Sequence, residues 1–74
     1  MKKILDILTG IRPDIDFETA QKLIDDSILD SFDIISIVSE LDEEFGIVIN
    51  VADLLPENFN SLEAIFELVE KYRA

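Results

Sequence analysis

Apolar positions recur at helical spacing in three separated stretches of the chain. Ile4, Leu5, Leu8 and Ile11 share one face of a first helix over 2–11, with Gly10 near its end and Arg12-Pro13-Asp14 stopping it. Ile34, Val38, Leu41 and Phe45 follow at steps of four, three and four, with Ile37 beside them. That stripe predicts a second, core-facing helix from Ser31 to Phe45, ended by Gly46 in a left-handed cap. Leu62, Ile65, Phe66, Val69 and Tyr72 predict a last helix to about Tyr72. Asn60 and Glu63 have the spacing of a capping box that would open it, and Lys71 and Arg73 suit its negative pole.

The connections carry their own patterns. From Arg12 to Asp30 no helical period persists, yet Ile15, Phe17, Leu23, Ile24, Ile28 and Leu29 predict a long loop pinned to the core. Within it, Thr19 to Ile24 is expected to form a helical turn. Ile47-Val48-Ile49 alternates like a strand, but a lone strand has nothing to pair with, so an extended connector is predicted. Asn50 is placed to cap a short third helix over 51–54, closed off by Pro56. The expected fold is all-α: a small four-helix bundle with a long loop between helices 1 and 2 and a short helix 3. Its 74 residues are enough for one domain, 1–74, and one small core.

The start of the second helix, Leu29-Asp30-Ser31-Phe32-Asp33, concentrates the candidate chemistry. Asp30 is the expected N-cap, with Asp33 reaching back to close a capping box. If Ser31 were the cap, the reciprocal position would be Ile34, which has no polar group to close the box. The Ser31 hydroxyl is therefore expected to be free, near solvent, at the positive end of a helix dipole. That position tolerates an attached anion, although the flanking aspartates oppose it. Phe32 and Ile35 fall off the core stripe and are candidates for partner contact, as are Asp33, Glu40 and Glu43 on the same helix. Ser61 also follows a cap candidate at a helix start, so the pattern of serine after cap is weak by itself.

Composition narrows the chemistry further. The chain has no Cys and no His, which removes disulfides and serine-histidine catalysis and disfavours zinc; no metal site is expected. Asp25-Asp26-Ser27-Ile28-Leu29-Asp30 puts Ile and Leu where a calcium loop alternates oxygens. The net charge of -11 comes with no Lys or Arg between Lys22 and Lys71, so basic partner surfaces are favoured and nucleic acid is not expected. The opening Met1-Lys2-Lys3-Ile4-Leu5 imitates a signal peptide until Asp6 interrupts it, and no apolar run is long enough to span a bilayer. A cytoplasmic monomer without membrane insertion is the expectation.

Asp30-Ser31-Phe32-Asp33, followed by Leu41-Asp42-Glu43-Glu44-Phe45-Gly46-Ile47, resembles the acyl carrier protein family, and the likeness covers nearly the whole chain. In that family the serine after the aspartate receives a 4'-phosphopantetheine arm from coenzyme A. The arm's thiol holds acyl or aminoacyl groups as thioesters. The resemblance implies attachment at Ser31, with Asp30 as the adjacent cap. It also implies three partners: a phosphopantetheinyl transferase, an acyl- or aminoacyl-activating ligase, and a downstream acyltransferase with a basic docking surface.

The cargo is read from departures within the motif. Fatty-acid carriers usually show Gly three residues before the serine, Leu after it and an exposed Met on the second helix; here those positions hold Ile28, Phe32 and Ser39. The run Ile28-Leu29-Asp30-Ser31-Phe32 is more similar to discrete D-alanyl carrier proteins of cell-wall modification. Fatty-acid and polyketide carriers remain the alternative. The candidate lining residues Phe17, Ile34, Ile37, Phe45, Phe59, Ile65 and Phe66 are bulky, and the only Met is Met1. Such a core is stiff, which favours small cargo held outside it, although bulky residues also simply fill a small core. An unmodified acidic helical interaction module is the rival of another class. A free-standing enzyme lacks the side chains for a conventional base.

Overall fold

A computed structural model describes residues 2–73. Helix α1 runs Lys2–Ile11 and helix α2 runs Ser31–Phe45, each with the bounds that its apolar period predicts. Gly46 ends α2 at φ 64°, where its N–H donates to the Asp42 carbonyl. A side chain there would have to adopt the left-handed region that glycine enters freely. The connector after it is extended, burying Ile47 and Ile49 while Val48 faces solvent. Asp42 holds this connector from inside α2, its Oδ1 accepting the Ile49 N–H at 3.1 Å.

Several expectations are corrected beyond this point. Helix 3 is shorter than expected over 51–54: Asn50 does cap it, but it is a single 3₁₀ turn, Val51–Asp53. Pro56 does not close off that element; it opens a further helix, α3, Pro56–Phe59. The reason is that proline lacks an N–H and has a helical φ, which suits the first position of a helix as well as the position after one. The third correction concerns the last helix, α4, Leu62–Arg73. Its cap is Ser61, whose Oγ accepts the Ala64 N–H at 3.1 Å, and not the expected box of Asn60 with Glu63.

Asn60 is diverted to the long loop. Its Oδ1 accepts the N–H groups of Ile24 and Asp25 at 3.0 and 3.1 Å, its Nδ2 donates to Asp25 at 3.2 Å, and its carbonyl accepts the Leu23 N–H at 2.9 Å. Four polar contacts thus tie the loop to the α3–α4 junction. The expected helical turn over Thr19–Ile24 does not form as one piece; two single turns overlap its ends and break at Gln21, closed by Ala20 N–H to the Asp16 carbonyl and Asp26 N–H to the Lys22 carbonyl. The chain then reverses through Ser27 at φ 58°, and the Leu29 N–H donates to the Leu23 carbonyl at 2.8 Å. Phe17, Leu23 and Leu29 are the buried anchors, each gaining roughly 1.5–3 kcal/mol from burial. Ile28, expected among them, is exposed instead.

The core joins these anchors to Ile4 and Leu8 of α1, Ile37 and Leu41 of α2, Phe59 of α3, and Leu62, Ile65, Leu68 and Val69 of α4. Leu68 lies outside the stripe read from the sequence, while Phe66 and Tyr72 are only half-buried. Helices α1 and α2 are antiparallel: Lys3 pairs with Glu44 at one end, and Arg12 pairs with Asp33 at the other. At the C-terminal end of α4, the Tyr72 hydroxyl donates to Asp53 and accepts the Asn50 N–H at 3.0 Å. Lys71 adds an ion pair to Asp53 at 3.4 Å.

Two predictions follow from these ties. Asn60→Ala should lower unfolding stability by about 2 kcal/mol, because several loop hydrogen bonds disappear together; urea denaturation measures this, and a change within about 0.5 kcal/mol would show that the loop holds without the clamp. Asp53 has its pKa below the ordinary 3.8, chiefly because the Tyr72 hydroxyl donates to it, with Lys71 adding to the effect and desolvation opposing it. A depressed folded-state pKa adds stability above 3.8 that is lost as pH falls through the folded value. Asp53→Asn should therefore flatten the decline of melting temperature below pH 3.8; parallel wild-type and variant curves would contradict this.

Candidate functional site

The site is the first turn of α2, and its geometry begins with Asp30. Asp30 has extended backbone, φ -108° and ψ -176°, so its side chain turns back over the helix start. Its Oδ1 accepts the Asp33 N–H at 2.9 Å, and Asp33 Oδ2 accepts the Asp30 N–H at 3.2 Å. The reciprocal box predicted from spacing is present. The Asp30 carbonyl accepts the Ile34 N–H at 3.1 Å, which starts the helical ladder.

A residue that sequence reasoning used only as a helix stop completes this turn. Arg12 Nε and Nη2 grip both carboxylate oxygens of Asp14 at 3.1 and 3.0 Å, and Nη1 donates to Asp33 Oδ2 at 2.6 Å and to the Ile28 carbonyl at 3.3 Å. One guanidinium thus joins the end of α1, the end of the long loop and the start of α2. Its pKa lies above the ordinary arginine value, first through the hydrogen bond to Asp14, and Asp14 is lowered below the usual carboxylate range by the same contact. The Asp33 side chain is only 15% exposed and is bonded on both sides, so it builds the turn rather than displaying a free charge. No local sequence signal pairs Arg12 with Asp33, which lie 21 positions apart.

Ser31 sits inside this locked turn and is exposed, and no described residue bonds its hydroxyl. Ser61 is the opposite case: 8% exposed, with its hydroxyl oxygen engaged as the cap of α4. The two serines that looked alike in sequence are therefore distinguished by burial and bonding. Phe32 and Ile35 are 80% and 61% exposed, as their positions off the core stripe predict, and Ile28 adds a further exposed apolar side chain before the helix. Val48, Val51 and Leu55 are also exposed, and periodicity did not single them out.

The acids of α2 divide into two groups. Glu44 pairs with Lys3, Asp33 with Arg12, and Asp42 holds the Ile49 N–H. Glu40 and Glu43 are exposed and make no ion pair among the described residues, leaving their charge available to an approaching basic surface. A cleft of about 500 Å³ lies at the other end of α2, lined in part by Lys3, Ile4, Phe45, Phe66 and Arg73. Fifteen helical residues place that end about 20 Å from Ser31, so the cleft is no part of this site.

The arrangement fits a group attached covalently through the serine oxygen. The hydroxyl is accessible and has no hydrogen bond to break among the described residues, and the helix N-terminus tolerates a phosphodiester. The family profile described as "Phosphopantetheine attachment site" matches residues 2–69. The acyl carrier protein of Buchnera aphidicola subsp. Baizongia pistaciae (strain Bp) is 36% identical over 50 residues, which cover 68% of this chain and 62% of that relative. The chain thus aligns with less than two thirds of that relative's length. No solved structure matches the chain. An exposed Asp-Ser helix start, an all-helical bundle and a profile match across 2–69 lead to one assignment: the chain belongs to the phosphopantetheine-attachment family of acyl carrier proteins, carriers of a covalent 4'-phosphopantetheine arm that are not themselves enzymes.

Proposed function

We propose that Ser31 is the attachment residue and that the carrier presents a small aminoacyl group, D-alanine being the favoured case, as a thioester to partner enzymes. The observation that carries the attachment reading is the exposed Ser31 hydroxyl, without a hydrogen-bond partner among the described residues, inside a capped and braced turn. In attachment, the Ser31 oxygen forms a bond to phosphorus while the pyrophosphate bond of coenzyme A breaks and adenosine 3',5'-bisphosphate leaves. The hydroxyl proton passes to a base, which in a chain without His would have to be a carboxylate or lysine, or a group of the transferase. The arm's terminal thiol, once attached, supplies the thioester chemistry.

The chain's own contribution is position and recognition. Asp30 and Asp33 hold the turn, Phe32 and Ile35 offer apolar contact beside it, and Glu40 and Glu43, without an ion pair among the described residues, offer negative charge about two and a half to three turns on from Ser31. A phosphopantetheinyl transferase, an activating ligase and a downstream acyltransferase with basic docking surfaces are the partners this layout suits. The preference for small cargo is supported by the run Ile28-Leu29-Asp30-Ser31-Phe32 and by a core filled with Phe17, Phe59, Ile37 and Ile65. Asn60 also ties the long loop across that core. A domain spanning 1–74 that works as a cytoplasmic monomer completes the reading.

Incubation with coenzyme A and a broad-specificity phosphopantetheinyl transferase should raise the intact mass by one phosphopantetheine. Ser31→Ala should abolish the change, whereas Ser61→Ala should cost about 1 kcal/mol of stability through its lost cap and still be modified. A D-alanine-activating ligase should then charge the arm. A medium-chain acyl group should leave melting temperature and core amide exchange as they are without cargo. Modification at Ser61, or none, overturns the attachment reading; failed charging with D-alanine together with acyl-chain protection of the core replaces the aminoacyl cargo with a fatty acyl one.

Reversing Glu40 and Glu43 to Lys should slow transfer onto the arm without loss of helical signal. The wild-type rate should fall with added salt, because exposed charges are screened over about 10 Å at moderate ionic strength. Kinetics that ignore both salt and charge reversal would make this acidic face solvated surface only.

A further inference from the structure

Attaching a phosphodiester at Ser31 adds negative charge to a turn that already holds the carboxylates of Asp30 and Asp33. The helix dipole favours the added charge and the two aspartates oppose it. Within one helical turn such opposition is felt directly, because like charges at this spacing are hardly screened by salt. The cation bonded to this turn among the described residues is Arg12. It reaches Asp33 Oδ2 at 2.6 Å with the same Nη1 that holds the Ile28 carbonyl at 3.3 Å, and Asp33 Oδ2 in turn receives the Asp30 N–H.

The rest of the guanidinium is not free for other work. Nε and Nη2 are taken up by the two oxygens of Asp14, a planar fork-to-carboxylate contact that sets the plane and direction of the group. Asp14 therefore aims Arg12, and Arg12 aims Asp33. The Arg12 side chain is 31% exposed and the Asp33 side chain 15%, so the pair is partly sheltered from water and screened less than a pair on the open surface.

We propose that Arg12 is a positioning residue for arm attachment: it braces the capping box around Ser31 and offsets the charge of Asp33, so that the turn presents the hydroxyl and accepts the phosphodiester that replaces it. This rests on Ser31 being the attachment residue. It assigns a function to a residue that lies outside the Asp-Ser motif and 19 positions before it in sequence. A lysine in its place would keep the charge and lose the fork. A methionine would keep much of the side chain's length and lose both.

The test compares wild type, Arg12→Met, Arg12→Lys and Asp33→Asn, each before and after treatment with coenzyme A and the transferase. For Arg12→Met, kcat/KM for attachment should fall about tenfold, the equivalent of one charge-assisted hydrogen bond. The change in melting temperature on attachment should be more unfavourable than in wild type by about 4 °C. A residue that only stabilises the bundle would lower the melting temperature of both forms equally and leave that difference alone. Arg12→Lys should restore the wild-type difference while recovering the rate only in part. Should Arg12→Met fail to fold, the milder Arg12→Gln, which keeps an amide donor and loses the charge, takes its place, and the added attachment penalty should be seen there.

Equal attachment kinetics and an equal melting-temperature difference in wild type and Arg12→Met would overturn the role of Arg12 while leaving Ser31 as the attachment residue. The same equality between wild type and Arg12→Gln would likewise overturn it. A wild-type chain that takes no arm at Ser31 would overturn the attachment reading and, with it, this proposal.

Discussion

The contact between Arg12 and Asp33 ties three parts of the chain together at one point. At 2.6 Å it joins the end of α1 to the first turn of α2, and through the Ile28 carbonyl it also holds the last part of the long loop. An N-terminal helical turn has N–H groups without intrahelical acceptors and is the part of a helix most prone to fray. Here one of those N–H groups is taken by Asp30 Oδ1, the cap's own N–H is taken by Asp33, and Asp33 is anchored in turn by the cation that directly follows α1. A side chain that must meet an enzyme in a defined position benefits from such a turn, since less ordering remains to be done on binding.

Two clamps, one at Leu23 to Asp25 and one at Ile28, explain how 18 residues without regular secondary structure, Pro13 to Asp30, hold one path. Arg12 grips the loop near α2, Asn60 grips it near α4, and Phe17, Leu23 and Leu29 fill the core between them. The electrostatic pattern of α2 follows from the same economy of groups. Carboxylates that meet a partner inside the chain, Asp33, Asp42 and Glu44, serve the fold; Glu40 and Glu43 are left facing solvent. The acidic character seen in composition is thus divided between structure and surface, and only the second part is open to recognition.

Periodicity made α1 and α2 legible to the residue, because a continuous amphipathic stripe with a cap or breaker at each end leaves little freedom in where a helix runs. The Asp30–Asp33 box was legible for the same local reason. What could not be read were choices decided by distant partners. Asn60 and Ser61 are both good caps; Asn60 is drawn away by the N–H groups of Ile24 and Asp25, 36 and 35 positions back, so Ser61 caps α4. Pro56 carries no information on whether it ends one element or begins the next until the surrounding chain path is known. Arg12 looked like part of a stop signal because nothing in its neighbourhood indicates that its charge reaches the far end of the loop.

If the first turn of α2 is braced as described, the amides of Asp33 and Ile34 should be protected, although they lie where helices ordinarily fray. Residue-resolved amide hydrogen exchange under native conditions measures this directly. The account predicts that both exchange through openings nearly as rare as those of the buried middle of α2 at Ile37 and Leu41, at least ~100-fold slower than an unstructured chain. Exchange of Asp33 and Ile34 at rates close to the unstructured chain, with the middle of α2 still protected, would mean that the turn around Ser31 is not held in place by Asp30, Asp33 and Arg12.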